Sequence, residues 1–350
     1  MSKFTFADLL HKDSNNLDLI RLICAFLVIW GHIPAFMVGV RNFDIFSKLF
    51  PFTYMGAIAV KCFFFISGLL VTNSLLTKAN WKVYLSSRFF RIWPGLIFCT
   101  ILTVVCCGFI ATGVSFVEYF DSATSYIIKW FGMNFTGSLS GVSFMTDAAQ
   151  KYASAVNGSL WTIPKEVTMY VLLLIVWAVV SYITKNKHLL GIVFLMFVLS
   201  PMFGVYIWNA NEEIKWLVSL FFSGALCALY KDKIVLDWWL PAGLFVCCLV
   251  LNNAWSITHL IAYLFVPVLF CYIARLSWFR KLRIKHDISY GIYLYGWPVQ
   301  QFVLFLFPGI GYYAYMFLSM LMATLFAYIS FVWIEKPFMN IGKKVNRLLQ

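Results

Sequence analysis

Two residues of the first apolar stretch, Arg21 and His32 in NNLDLIRLICAFLVIWGH, are out of place in a plain lipid-facing helix. An imidazole is the side chain best suited to move a proton near neutral pH, and a guanidinium holds negative charge at any physiological pH. Eleven residues separate them, close to three helical turns, so a helix sets both on one face about 16 Å apart along its axis. Ala25 and Val28 lie between them on that face, and Asp18 is one turn ahead of Arg21, within reach of an ion pair. Ionisable groups inside a span are costly unless paired or wetted, so the stripe reads as the wall of a polar channel. The plainer readings are a snorkelling Arg21 at the membrane edge and a satisfied histidine near a helix end.

Three further segments carry chemistry. Arg88 and Arg91 in SSRFFRIWP are three apart and share a helix face, in a stretch that also holds Lys78 and Lys82. Guanidinium forks suit phosphates, of which coenzyme A has several, although basic residues also collect at cytoplasmic membrane edges for reasons of topology alone. In SLWTIPKEVTMY, Pro164 and Glu166 fit the first turn of a helix and Trp161 a membrane interface. Glu166 could equally orient a sugar hydroxyl or a histidine. In HDISYGIYLYGWPVQQ, Tyr290, Tyr293, Tyr295 and Trp297 can stack on or bond to a sugar, or form an interfacial belt, and Asp287 or Ser289 reads as an N-cap. Ser67-Gly68 in FFFISGLL reads as a packing patch of small residues.

The elements that must position these residues follow from composition. The chain is 62% hydrophobic and 12% charged over 350 residues, with a mean hydropathy of +0.83, too apolar for one water-soluble core. Apolar stretches near the length of about 20 residues that a bilayer requires recur along it. The expected fold is all-α, a polytopic transmembrane bundle of about ten helices over residues 17–38, 54–76, 90–113, 166–184, 189–206, 214–230, 236–251, 256–275, 288–307 and 311–334. Basic residues assign the sides. Placing both termini in the cytoplasm leaves 19 of the 27 Lys and Arg on that side and six (Arg41, Lys48, Lys129, Lys151, Lys165, Lys215) on the other. The polar residues 1–16 and the length of the first span argue against a cleaved signal peptide.

The expected organisation is a single membrane domain over residues 1–350. It has an extracytoplasmic loop at about 114–165 and a short basic cytoplasmic tail after residue 335. The net charge of +13 is spread beside apolar spans and points to topology and lipid contact, not to nucleic acid. Nine cysteines without a CxxC pair argue against a disulfide framework and against a metal site.

Taken together and in this order, the segments resemble the acyltransferase-3 family, membrane proteins that O-acylate O-antigens, capsules, exopolysaccharides and other glycans. The resemblance runs from residue 17 to about 338. It is carried by Arg21-x10-His32, FFFISG, Arg88-x-x-Arg91 before Trp93-Pro94, SLWTIPKE, SYGIYLYGWP and the closing WIEKP. It implies a bacterial inner-membrane enzyme with a cytoplasmic acyl-CoA donor, most often acetyl-CoA, and a glycan or lipid-linked oligosaccharide acceptor facing outward. In that reading His32 is catalytic with Arg21 as its partner, and Arg88 and Arg91 hold the donor. Glu166 joins the catalytic group, while Ser159, Trp161, Tyr293 and Trp297 bind the acceptor. Many relatives carry a histidine where this chain has Gly296, which bears on acceptor choice. The main alternative from another class is a transporter or flippase of a lipid-linked sugar, which would move substrate without consuming acyl-CoA. A polysaccharide polymerase fits less well, because its reactive residues would sit in large external loops.

Overall fold

The computed structural model describes residues 3–37, 44–129, 137–142, 155–184, 186–207, 212–251 and 256–350. Among these it is all-helical. The α-helices are α1 Phe6–Leu10, α2 Leu17–Phe36, α3 Ile45–Leu49, α4 Met55–Lys78, α5 Trp81–Ile110, α6 Phe116–Ile128, α7 Ile163–Ile183, α8 Lys187–Leu199, α9 Glu212–Leu229, α10 Trp239–Val250, α11 Ser256–Arg275, α12 Ser277–Arg280, α13 Ser289–Leu306, α14 Tyr312–Ser330 and α15 Lys336–Leu348. Helices occupy all ten segments expected to cross the membrane. By length and apolar content six helical stretches among the described residues qualify as spans: α2, α4, α5, Gly158–Ile183, α11 and Tyr312–Leu348. Parts of the expected outer loop, residues 130–136 and 143–154, lie outside the described residues.

Lipid is the solvent these helices require. Ile97, Ile101, Val105 and Phe109 recur every fourth residue on α5, and each is at least 45% exposed. An apolar stripe of that length would be a liability in water. Several hydroxyls within the helices are turned back onto the carbonyl one turn earlier, as in Thr103 to Cys99 at 2.8 Å and Ser223 to Ser219 at 2.7 Å, which meets their hydrogen-bonding need where water is absent.

The chain gathers into two compact units, residues 1–24, 44–81 and 168–287 in one and 25–43, 82–167 and 288–350 in the other. In the first, α4 packs on α9 through reciprocal glycines. A Cβ on Gly68 would stand 1.9 Å from the Phe221 carbonyl oxygen, and one on Gly224 would stand 2.0 Å from that of Phe65. The small-residue patch expected at Ser67-Gly68 is thus a backbone-to-backbone contact. Ser67 also shares a hydrogen bond with the Tyr170 hydroxyl at 2.7 Å. The turn after α4 is made by Ala79, a left-handed residue at φ 49° whose N–H returns to the Leu75 carbonyl.

In the second unit α13 is the spine. It is buried along most of its length and packs on α14, where Gly291 meets Ala327 with no room for a Cβ. The last residues do not trail away as a loose tail. After a π-helical turn at Phe331–Glu335 the chain continues as α15, whose Gly342 abuts Phe90 of α5 and whose Asn346 donates to Ser87 Oγ at 2.9 Å.

Candidate functional site

The second unit holds eight of the nine residues given a catalytic, donor or acceptor role from the sequence: His32, Arg88, Arg91, Ser159, Trp161, Glu166, Tyr293 and Trp297. The spacing of α13 explains how three of its neighbours are ordered. Successive turns present Tyr290, Tyr293 or Leu294, Trp297, and then Gln300 with Gln301 to one wall.

At the first turn, the Tyr290 hydroxyl donates to the Ile92 carbonyl at 2.9 Å, and the Arg91 guanidinium carbon lies 5.9 Å from the Tyr290 ring centroid. Gly95 makes the approach possible, since a Cβ there would meet both Tyr290 and Glu335 within 3.3 Å. Arg91 also donates to the Met339 sulfur of α15 at 3.6 Å, so α15 forms one side of the arginine pair. Arg88 lies one turn before Arg91 and acts electrostatically on Tyr84, one turn earlier still.

One turn up, the Tyr293 hydroxyl donates to the Ser159 carbonyl at 2.7 Å and shares a hydrogen bond with Thr162 Oγ1 at 2.5 Å. The Asn157 amide donates to the Leu294 carbonyl at 2.9 Å. These bonds tie the short 3-10 turn Gly158–Thr162 to α13 and deliver the chain into α7, with Pro164 and Glu166 in its first turn as the sequence suggested. Trp161 on that turn is partly exposed, and Ser159 Oγ is buried with no hydrogen-bond partner among the described residues.

The third level contains the histidine. Trp297 meets His32 edge-to-face with ring centroids 5.0 Å apart and an interplanar angle of 79°. It also meets Phe36 at 4.8 Å and donates its indole N–H to the Ala155 carbonyl at 3.2 Å. His32 Nδ1 is closed off from solvent and has no hydrogen-bond partner among the described residues. Leaving such an atom unpartnered costs about 1–3 kcal/mol, so its retention calls for a reason. Among the described residues the imidazole is held by packing against Trp297. Gln300 donates to the Ile29 carbonyl at 2.9 Å and fixes α2 one turn before the histidine. A Cβ on Gly296 would already stand 2.9 Å from Ile29 Cγ1.

Arg21 belongs to the first unit. It pairs with Asp18 at 3.5 Å, as expected from their spacing, and also with Asp287. Asp287 or Ser289 was expected to cap α13. Instead Ile288 occupies the N-cap position without a side-chain bond, and the Asp287 carboxylate is used on Arg21. Asn157, Thr162, Gln300, Gln301 and Glu335 also build the site and were not singled out by the sequence reading. Two adjacent glutamines in an otherwise apolar helix were the signal available for Gln300 and Gln301.

Comparison with known proteins bears on the chemistry. A family model described as "Acyltransferase domain", of the acyltransferase-3 type, matches residues 14–334 and so runs through both units. A protein of Shigella phage Sf6 named "O-acetyl transferase" is 27% identical over 346 residues, covering 95% of this chain and 97% of the relative. "Nodulation protein 10" of Rhizobium leguminosarum bv. viciae is 25% identical, covering 93% and 94%. No solved structure matches. The chain therefore belongs to the acyltransferase-3 family and is an acyltransferase with several helices apolar enough to cross a membrane.

Proposed function

We propose that this protein is an integral enzyme of the bacterial inner membrane that moves an acetyl group from cytoplasmic acetyl-CoA to a hydroxyl of an outward-facing glycan. The observation that carries the proposal is His32, a histidine in an apolar helix whose buried Nδ1, set against Trp297, has no hydrogen-bond partner among the described residues. The name of the phage relative, "O-acetyl transferase", supports acetyl as the group moved. In this reading the chain works as one domain of about ten spans with both termini cytoplasmic.

A sugar hydroxyl has a pKa far above 7, so its proton must leave as the new bond forms. In the direct route the hydroxyl oxygen attacks the thioester carbonyl, His32 takes the proton, and the carbon–sulfur bond breaks to release coenzyme A as thiolate, which His32 reprotonates. In the covalent route an imidazole nitrogen of His32 attacks the thioester, coenzyme A leaves as the thiol with the ring proton, and the acceptor hydroxyl then attacks the acyl-imidazole and returns its proton to the ring. Arg88 and Arg91 receive the donor phosphates, with Tyr290 and α15 fixing Arg91 from either side. Trp161 and Glu166 orient the acceptor at the start of α7, and Trp297 with Tyr293 shapes the wall it meets. The guanidinium of Arg21 pairs with two carboxylates and steadies the first turns of the helix that carries His32.

Turnover of labelled acetyl-CoA by the purified protein in lipid tests this directly. Arg88→Ala and Arg91→Ala should raise the KM for acetyl-CoA about tenfold or more while leaving kcat closer to wild type, as expected where a charge-assisted phosphate contact is lost. An unchanged KM in both variants would remove the arginine pair from the donor site.

A further inference from the structure

The first unit contains a cavity of about 320 Å³ that the acyl-transfer chemistry does not use. It lies where α4 and α9 end and α7 passes into α8, on the side that the basic residues assign to the cytoplasm. Leu76 and Leu190 give it an apolar wall, and Trp177 joins them. Its charges are Lys187, Lys231 and Asp232.

Both lysines are held in place. Lys231 Nζ donates to Asn73 Oδ1, also in the lining, at 2.8 Å, and Lys187 Nζ stands 5.6 Å from the Tyr230 ring centroid. Tyr230 is wedged against α8, because Gly191 leaves space that a Cβ would close to 2.2 Å from its hydroxyl. The thirteen-residue α8 begins at the same mouth, capped by Asn186, so its positive end adds to the two ammonium groups. Placed cations beside an apolar wall and a tryptophan match a phosphate joined to an acyl chain. Asp232 disfavours a bare, multiply charged phosphate and suits a headgroup that has a cationic donor next to its phosphodiester. The volume is in the range of small-ligand sites.

We infer that this cavity binds a membrane phospholipid by its headgroup. Lys187 and Lys231 hold the phosphodiester, Asp232 the headgroup ammonium, and Leu76, Leu190 and Trp177 the start of the acyl chain. The inference does not depend on which acyl group or acceptor the enzyme uses. A soluble phosphate ester shares the anionic chemistry but not the apolar contact.

The full-length protein, stripped of lipid in detergent, can be titrated with short-chain phosphatidylethanolamine and the bound species counted by native mass spectrometry. Wild type and the exposed control Lys233→Gln should bind one lipid alike, and Lys187→Gln/Lys231→Gln should bind at least tenfold more weakly. Inorganic phosphate and glycerophosphoethanolamine should not compete at hundredfold excess. Equal affinity in the double variant overturns the site, and competition by either soluble compound at lipid-like concentration overturns the lipid in favour of a free phosphate ester. If the double variant does not fold, a diazirine analogue of the lipid decides on wild type. Adducts at residues 73–77 and 177–190 that unlabelled lipid suppresses support the site, and adducts only elsewhere overturn it.

Discussion

Arg21 is the residue for which partners matter most. With Arg21→Ala, Asp287, 15% exposed, loses the Arg21 guanidinium, and the loss should destabilise the protein by about 1–3 kcal/mol. Removing both charges in Arg21→Ala/Asp287→Ala should restore part of it, read as thermal unfolding in detergent. A double variant as unstable as the sum of the single ones would mean the two side chains do not act as a pair. The sequence made Arg21 and His32 visible because an ionisable group in an apolar run stands out by type alone. It could not show that Asp287 closes on Arg21 across 266 residues, or that Gln300 fixes Ile29, since partners distant in the chain leave no mark in local spacing. Gly296 illustrates the same limit. The resemblance drew notice to it, while the side chain of Ile29 lying against it is a matter of packing. Gly296→His should therefore be destabilising by about 1–3 kcal/mol, and Ile29→Ala in the same chain should relieve some of that strain.

Elements are where glycine contacts decide the outcome. A Cβ at Gly158 would lie 2.6 Å from the Trp297 ring, so Gly158→Ala must displace the indole that packs against His32. Acetyl transfer should fall at least tenfold in that variant while the protein still purifies as folded material; activity equal to wild type would show that the Trp297 position is not critical. Gly68→Ala is a different case. Its methyl would collide with the Phe221 carbonyl, a backbone atom that cannot turn aside, and the cost is loss of α4–α9 packing and of folded yield. Helices proved easy to foresee, because a long apolar run in lipid has hardly any other way to satisfy its backbone. The end of the chain was harder. Residues after 335 are basic and read as a tail, yet a glycine facing Phe90 and an asparagine facing Ser87 dock them on α5 beside Arg91.

At the scale of the whole molecule, the proposed arrangement has both ends in the cytoplasm and an even number of spans. A fluorescent reporter fused after Gln350 should shine, and an alkaline phosphatase fused there should be inactive, with the reverse pattern for fusions in the stretch between α5 and α7. An active phosphatase at the C-terminus would invert the topology and move Arg88 and Arg91 away from the donor. Composition alone foretold a membrane protein, but not that its residues gather into two compact units, with His32 in one and Arg21 in the other although α2 carries both. The central claim is that His32 performs acyl transfer, and turnover of isotope-labelled acetyl-CoA by purified wild type and His32→Ala in lipid tests it most directly. The account predicts transfer or slow hydrolysis in wild type and a loss on the order of 10²–10⁴-fold in an equally folded His32→Ala; full activity in that variant would contradict it.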